Sequence, residues 1–327
     1  MSEKKLLLIA GYGGHAGYTY SIAWYLNKLG FNNNTILVAR GYEFLAGKFE
    51  NFGEVEYLFL PRKPGEPLYK GLHRWINAFI QSTRSVLKSK PRAVFASGSN
   101  FSIPPSLVSK ILLKTPVYTL ETIERFTTKS RAVDILVKTG AKVFLHWEEQ
   151  LELFPRGIVS GPVYEPRIYE PRNQGYILVT TGTLGYKELF DTISQLGLEN
   201  IVLQTGDVDP EPYKKKHPSW TVFQYTSDIH KWIAGADIVI AHQGGATTST
   251  ARFAYGKPVI IVYNPRVSLG ASKKDVEIYA EKIKAVFLDK PDPRLLRRAI
   301  DEVEKTSLNY ENGALFIAKK LLEHLEK

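Results

Sequence analysis

Two doubly wound α/β domains in tandem are what the sequence predicts. Short β-branched or leucine-rich runs alternate with amphipathic stretches, the pattern of parallel sheets covered by helices. The alternation stops once, at a proline-rich segment, and then restarts. The 327 residues also exceed one ordinary core, at roughly 100–200 residues per domain.

In the first half, strands are expected at 5–10, 35–39, 55–60, 93–96, 117–120 and 142–146, with helices such as 19–29 and 68–87 between them. Residues 161–174 read GPVYEPRIYEPRNQ, with three prolines and no periodicity. Strands resume at 176–180, 201–204, 221–223, 238–241, 259–263 and 285–288. A last helix, 310–325, carries apolar residues at 314, 315, 317, 318, 321, 322 and 325. The domains are therefore placed at 1–162 and 175–308, with 163–174 as linker and 309–327 as a C-terminal helix that can pack back on the first domain. Open parallel sheets bind ligands beyond the carboxyl ends of their strands. A site built from strand-end loops of both halves, across a cleft, is expected.

Composition narrows the classes. Hydrophobic content of 44% and charged content of 23% fit a globular chain. The absence of cysteine excludes disulfides, thiolate metal sites and cysteine nucleophiles. The longest clean apolar runs, 6–10 and 259–263, fall far short of the roughly 20 residues that span a membrane. Residues 6–10 run straight into glycines, unlike a signal peptide. A cytoplasmic chain with peripheral membrane contact is expected. The net charge is +10, and residues 1–162 hold 21 basic against 12 acidic residues, where the remainder holds 22 against 21. A basic first half suits an anionic surface, or is simply a solvated face. No recognition helix or aromatic RNA motif is evident, so nucleic acid is not an expected partner.

Three motifs carry chemistry. The run LLLIAGYGGHAGY (6–18) is strand, glycine turn and helix, where Gly11, Gly13 and Gly14 allow close backbone approach to a ligand. Gly11, Gly13 and Ala16 also match a dinucleotide fingerprint, but the second strand ends in Ala39-Arg40 without the acid that pattern needs. Arg40 keeps a 2′-phosphate cofactor open as a competing reading. His15 follows the glycines on the loop, and an unperturbed pKa of about 6.5 suits proton abstraction from a hydroxyl; the competing role is a helix cap. In the second half, Thr181-Gly182-Thr183 and His242-Gln243-Gly244-Gly245-Ala246-Thr247 each follow a strand and open a helix, where main-chain N–H groups hold a diphosphate without a metal. Asp207-Val208-Asp209 has a metal-binding spacing but precedes Pro210 in a polar loop, and reads as a turn. No cofactor and no metal are expected.

These residues resemble a known family. AGYGGHAGY, ASGSNFSIPPSLVSK (96–110), VYTLETIERF (117–126) and FPRGIVSGPVY (154–164) resemble the acceptor-side subunit of the eukaryotic transferase that adds the second N-acetylglucosamine to dolichyl-diphosphate-GlcNAc. VTTGTLGYKELFDTI (179–193) and the run 229–264 around AHQGGATTST resemble its donor-side subunit, so the chain looks like an archaeal-type fusion of the two. It is more distantly similar to peptidoglycan transferases of the MurG type. The resemblance implies a GT-B fold: two Rossmann-like domains facing across a cleft. It implies inverting, metal-independent transfer of GlcNAc from UDP-GlcNAc, in β-1,4 linkage, to a polyprenyl- or dolichyl-diphosphate-linked sugar at the cytoplasmic membrane face.

It also implies roles. His15 takes the glycine-histidine position beside Gly13 and Gly14. Glu121, near Glu124 and Arg125, takes that of an acid that orients the histidine or contacts the acceptor; pairing with a neighbouring base is the alternative. Tyr225 to Ile229 matches a loop that receives uracil, and Thr181, Gly182, Gly244, Gly245 and Thr247 match the diphosphate turns. Two departures stand out. Ala251 occupies the place of an acid that grips ribose, and residues 272–277 lack paired glutamines that contact the donor sugar, where Glu277 or Asp275 are the candidate substitutes. The acceptor-side subunit's N-terminal membrane helix is absent as well. A stripe of Leu68, Leu72, Trp75, Ile76 and Phe79 among basic residues suits an interfacial helix, or else packs on its own sheet. Rival classes are a UDP-GlcNAc 2-epimerase or another nucleotide-sugar enzyme, and a non-catalytic nucleotide-sugar or lipid binder. The oligomeric state stays open.

Overall fold

A computed structural model describes residues 4–62, 66, 71–226, 228–267, 270–306 and 308–326. The chain divides into two compact units, Met1–Glu165 with Glu311–Lys327, and Pro166–Tyr310.

The first unit holds strands β1 (Leu6–Gly11), β2 (Asn34–Ala39), β3 (Glu54–Leu58), β4 (Ala93–Ala96), β5 (Val117–Leu120), β6 (Lys142–Leu145) and β7 (Ile158–Val159). They lie in the order β3-β2-β1-β4-β5-β6-β7, paired in parallel. Strands covered on both faces read as unbroken apolar runs. Leu6, Leu7, Leu8 and Ile9 are all fully buried, each worth roughly 1.5–3 kcal/mol of transfer free energy. The two-residue β7 was not expected, because so short a strand leaves no pattern. Helices α1 (Gly14–Lys28), α2 (Leu72–Ser89), α3 (Ile103–Leu113) and α4 (Arg131–Lys138) connect the strands.

Helix α1 begins at Gly14, directly after the glycine turn, and not near residue 19 as expected. Ala16 through Ala23 are buried on every side, so the segment shows no amphipathic period. One side of α1 meets β1 and another meets the C-terminal helix α11 (Gly313–Glu326), which returns to this unit. Ala314, Ile317, Ala318, Leu321 and Leu325 form the buried face of α11. Its start is fixed by the Gly313 amide on the Pro162 carbonyl at 2.9 Å and by Asn312 Nδ2 on the Tyr164 carbonyl at 2.6 Å.

The second unit holds β8 (Tyr176–Thr180), β9 (Ile201–Gln204), β10 (Thr221–Phe223), β11 (Ala236–Ala241), β12 (Val259–Val262) and β13 (Val286–Leu288), parallel in the order β10-β9-β8-β11-β12-β13. Helices α5 (Lys187–Ile193), α6 (Glu211–Lys216), α7 (Ile229–Gly235), α8 (Gly245–Ser249), α9 (Lys273–Lys282) and α10 (Pro293–Glu302) link them. Val179, Phe190, Leu203, Ile240, Ile260 and Leu296 anchor its core. Strand order reverses between β1 and β4 in the first sheet and between β8 and β11 in the second. Loops leave these neighbouring strands in opposite directions, which opens a crevice at each point.

A Cβ on Gly313 would come within 2.3 Å of the Gly161 carbonyl oxygen. Gly313→Ala is expected to cost about 1–3 kcal/mol through this overlap. A lowered urea midpoint checks it; an unchanged midpoint would refute the tight closure of α11.

Candidate active site

In the first unit, the turns after β1 and β4 meet at the reversal point. Gly11 and Gly13 both have positive φ, +67° and +57°. A Cβ on Gly11 would lie 2.9 Å from Ser99 Oγ, so glycine there permits the close approach of the two turns. Ser97 Oγ donates to the Ala10 carbonyl at 3.3 Å.

His15 sits in the first turn of α1, half-buried, and not on a free loop as expected. Its Nδ1 lies 2.7 Å from the Ser97 carbonyl oxygen. A carbonyl only accepts, so Nδ1 carries the proton and Nε2 keeps an open lone pair. Burial pulls the ring below its ordinary pKa, the Ser97 carbonyl acts against this, and the Arg125 charge adds to the lowering. The ring is therefore a neutral base near pH 7.

Glu121 does not orient His15, contrary to one expectation. It is fully buried, and its two oxygens accept from the Thr122 and Ser130 amides at 2.8 and 3.0 Å. Burial raises its carboxyl to about 7 against the pull of those two amides. The Ser130 bond ties the β5 loop to the start of α4. Arg125 is spent nearby, with Nη1 on Thr128 Oγ1 at 2.8 Å and on the Lys129 carbonyl at 3.2 Å. Glu124 is half-buried on the same loop. His146 is a structural group: Nδ1 accepts from the Val163 amide, Nε2–H donates to the Glu121 carbonyl, and burial lowers its pKa to about 3. Sequence reasoning named neither Ser97 nor the buried hydroxyls of Ser99, Ser102 and Ser106. Those three find no hydrogen-bond partner among the described residues. The serine recurrence at 97, 99, 102 and 106 was the available signal.

In the second unit, the turns after β8 and β11 adjoin because Thr180 pairs with Ala241. Gly182 has φ +68°, and a Cβ there would lie 3.7 Å from His242 Nε2; one on Gly244 would lie 3.5 Å from it. The imidazole thus stands beside both turns. Its Nδ1 is buried and finds no partner among the described residues, and burial lowers its pKa to about 4, so the ring is neutral. The buried Thr181 hydroxyl is likewise open.

Several expectations change here. Thr181, Gly182 and Thr183 do not open a helix, since α5 starts only at Lys187. The Thr247 and Thr248 amides return to the Gly244 carbonyl at 3.1 Å, so the amides of Gly245 and Ala246, at the head of α8, are those a helix end presents. Gln243 is not free for a donor. Its side chain closes a two-bond ring with the Asn264 backbone, 2.7 Å each way, which ties β11 to the end of β12. Asp275 is buried in the first turn of α9, where it closes a capping box with the N-cap Ser272. Glu277 is exposed and pairs with Lys274 at 3.3 Å. Ala251 is fully buried in a π-helical turn. Tyr225 is exposed, Ile229 opens α7, and Ser227 between them lies outside the described residues. Asp207 and Asp209 part company: Asp207 accepts from the Tyr225 hydroxyl, and Asp209 from the Glu211 amide at 3.1 Å. Among the described residues no cluster of three or more metal-ligating side chains forms.

On α2, the expected stripe splits. Leu72 and Ile76 are exposed, 70% and 54%, and Ile80 joins them at 46%. Trp75 is half-buried, and Phe79 packs on the first unit's own core. Leu68, Lys63 and Lys70 lie outside the described residues. Ile111 and Leu112 of the adjoining α3 are also exposed.

Residues 176–325 match the model described as Glycosyltransferase family 28 C-terminal domain. The chain is 23% identical to a UDP-N-acetylglucosamine--N-acetylmuramyl-(pentapeptide) pyrophosphoryl-undecaprenol N-acetylglucosamine transferase of Caldicellulosiruptor saccharolyticus, over 88% of this chain and 85% of that one. It is 29% identical to the human UDP-N-acetylglucosamine transferase subunit ALG13, over 28% of this chain and 9% of that one. Among solved structures, Acinetobacter baumannii MurG superposes with a TM-score of 0.64 at 18% identity, over 98% of this chain and 99% of that one. A Listeria monocytogenes protein described as a candidate UDP-N-acetylglucosamine 2-epimerase superposes with a TM-score of 0.68 at 14% identity, over 99% of this chain and 96% of that one. The two Rossmann-like sheets and the family 28 match define a glycosyltransferase of the GT-B fold.

The Glu121 geometry is testable. Glu121→Gln removes one of two acceptors and is expected to cost about 1–3 kcal/mol at pH 5. The Glu121 carboxyl is raised to about 7, so its contribution is full below about pH 4.3 and fades as pH rises through 7. The stability gap between wild type and variant should therefore narrow toward pH 8 in urea titrations. Unchanged stability with lost turnover would instead assign Glu121 to the chemistry.

Proposed function

We propose that this glycosyltransferase moves N-acetylglucosamine from UDP-GlcNAc to a GlcNAc carried on a polyprenyl or dolichyl diphosphate, forming a β-1,4 linkage with inversion. The single observation that carries the chemistry is the fixed tautomer of His15, whose Nε2 is an unprotonated base at a glycine turn. The acceptor O4 attacks the anomeric carbon, His15 Nε2 takes the O4 proton, and the bond from that carbon to the UDP oxygen breaks. UDP leaves with the bonding pair. Neutral His242 and the amides around Gly182, Gly245 and Ala246 are the donors that meet its negative charge. Ser99 Oγ, open beside Gly11, adds a donor for the acceptor's diphosphate.

The bacterial and human relatives, both UDP-N-acetylglucosamine transferases by name, support the donor, and the bacterial one, named for a pyrophosphoryl-undecaprenol acceptor, supports the lipid-linked acceptor. We assign membrane contact to the exposed Leu72, Ile76 and Ile80 of α2 with Ile111 and Leu112 of α3, flanked by Arg84, Lys110 and Lys114. Among the described residues no helix is long and apolar enough to cross a membrane.

Mass spectrometry of the lipid formed from UDP-GlcNAc and a synthetic polyprenyl-diphosphate-GlcNAc should show a disaccharide lipid. Free N-acetylmannosamine without a lipid product would overturn the reading in favour of epimerisation. His15→Ala should lower kcat by about 10²–10⁴ while sparing UDP binding. Because the His15 pKa is lowered, the base is lost only as pH falls below about 6.5, and the acid limb of kcat/KM should lie there. An acid limb that survives in His15→Ala would exclude the assigned role. Ile76→Asp with Ile80→Asp should abolish sedimentation with vesicles containing phosphatidylglycerol, leaving a short-chain soluble acceptor in use. Unchanged sedimentation would exclude this face.

A further inference from the structure

A nucleoside diphosphate held at the β8 and β11 turns must extend its ribose toward one neighbouring strand end. The position where an acid was expected to grip ribose, in the helix after β11, offers none: Ala251 presents only a buried methyl. The loop after β9, on the other side of β8, supplies a carboxylate at a defined place.

Three successive amides fix that loop. Thr205 N–H donates to the Phe223 carbonyl at 2.9 Å, Gly206 N–H to the Gln224 carbonyl at 3.0 Å, and Asp207 N–H to the Thr183 carbonyl at 2.8 Å. A Cβ on Gly206 would lie 2.5 Å from the carbonyl oxygens of both Gly182 and Thr183, so only glycine lets this loop lie against the β8 turn. Asp207 is therefore anchored by its backbone to the diphosphate turn and by its side chain to the Tyr225 hydroxyl on the β10 loop. Its side chain is exposed, and a carboxylate that accepts one hydroxyl keeps capacity for others. Beyond it stands Tyr225, 42% exposed, on the loop that the sequence resemblance matches to base binding. In a nucleotide the ribose is the piece between phosphate and base. In doubly wound sheets, a carboxylate at the end of the strand beside the glycine strand is well placed for ribose hydroxyls.

Given the UDP-sugar reading above, we infer that Asp207, buttressed by Tyr225, accepts hydrogen bonds from the ribose 2′- and 3′-hydroxyls and sets the preference for a ribonucleotide donor. The site lies within the second unit and uses the acid of the Asp207-Val208-Asp209 run without a metal ligand role.

The test is calorimetric titration of the full chain with UDP and with 2′,3′-dideoxy-UDP. Wild type should prefer UDP by about tenfold or more, the scale of hydrogen bonds to a charged group. Asp207→Ala should bind UDP as weakly as wild type binds the dideoxy ligand, with dideoxy-UDP affinity unchanged. Asp207→Asn, which keeps the shape, should lose most of the preference and decides the matter if the alanine variant loses both ligands. UDP binding without preference in wild type, or preference retained in Asp207→Asn, overturns the role of Asp207 alone. Failure of wild type to bind either nucleotide overturns the UDP reading with it.

Discussion

The Ser97 carbonyl holds the proton of His15 on Nδ1, and that one bond decides what the ring can do. An imidazole that donates through one nitrogen must offer a lone pair at the other. The same contact joins the ends of β1 and β4, the two strands between which the first sheet reverses. Site and fold thus share a constraint. The chain must bring a backbone acceptor from one strand end onto a side chain that follows the other. The glycines at 11 and 13 matter because their positive φ values turn the chain into α1 within reach of it.

Polar groups inside each unit fall into two sets. Glu121, His146, Gln243 and Asp275 have their hydrogen-bonding capacity committed to backbone or caps. Each holds a strand-end loop in place, a load-carrying task that resembles a ligand role in sequence. Ser99, Ser102, Thr181 and His242 instead keep buried donors or acceptors open, and they follow the strands flanking the two reversals. Unmade hydrogen bonds cost roughly 1–3 kcal/mol each when buried, so these four fit groups kept for a ligand. His242 illustrates the electrostatic side: kept neutral by burial, it can donate to a phosphate without the desolvation cost of a cation.

Much of the architecture was legible because parallel strands buried on both faces announce themselves as apolar runs. Leu6 to Ile9, Val259 to Val262 and Ile201 to Leu203 are of this kind. Helix α1 was misplaced by its start because burial on all sides erases the period on which a helix is read. The two glycine turns and His15 were legible from local spacing. The duties of Glu121 and Gln243 were not, since a buried carboxylate that holds two amides and one that grips a substrate are the same letter.

From the sequence alone came the two parallel sheets and the glycine turns at their strand ends, because local backbone freedom and hydrophobic periodicity are properties of neighbouring residues. Only the tertiary structure decided which nitrogen of His15 is free, which carboxylates are spent as caps, and that Asp207 stands between the Thr183 turn and Tyr225. Those facts depend on hydrogen bonds between residues far apart in the chain, such as the 82 positions that separate His15 from Ser97. No local pattern encodes them, since the partner is chosen by strand order and not by spacing.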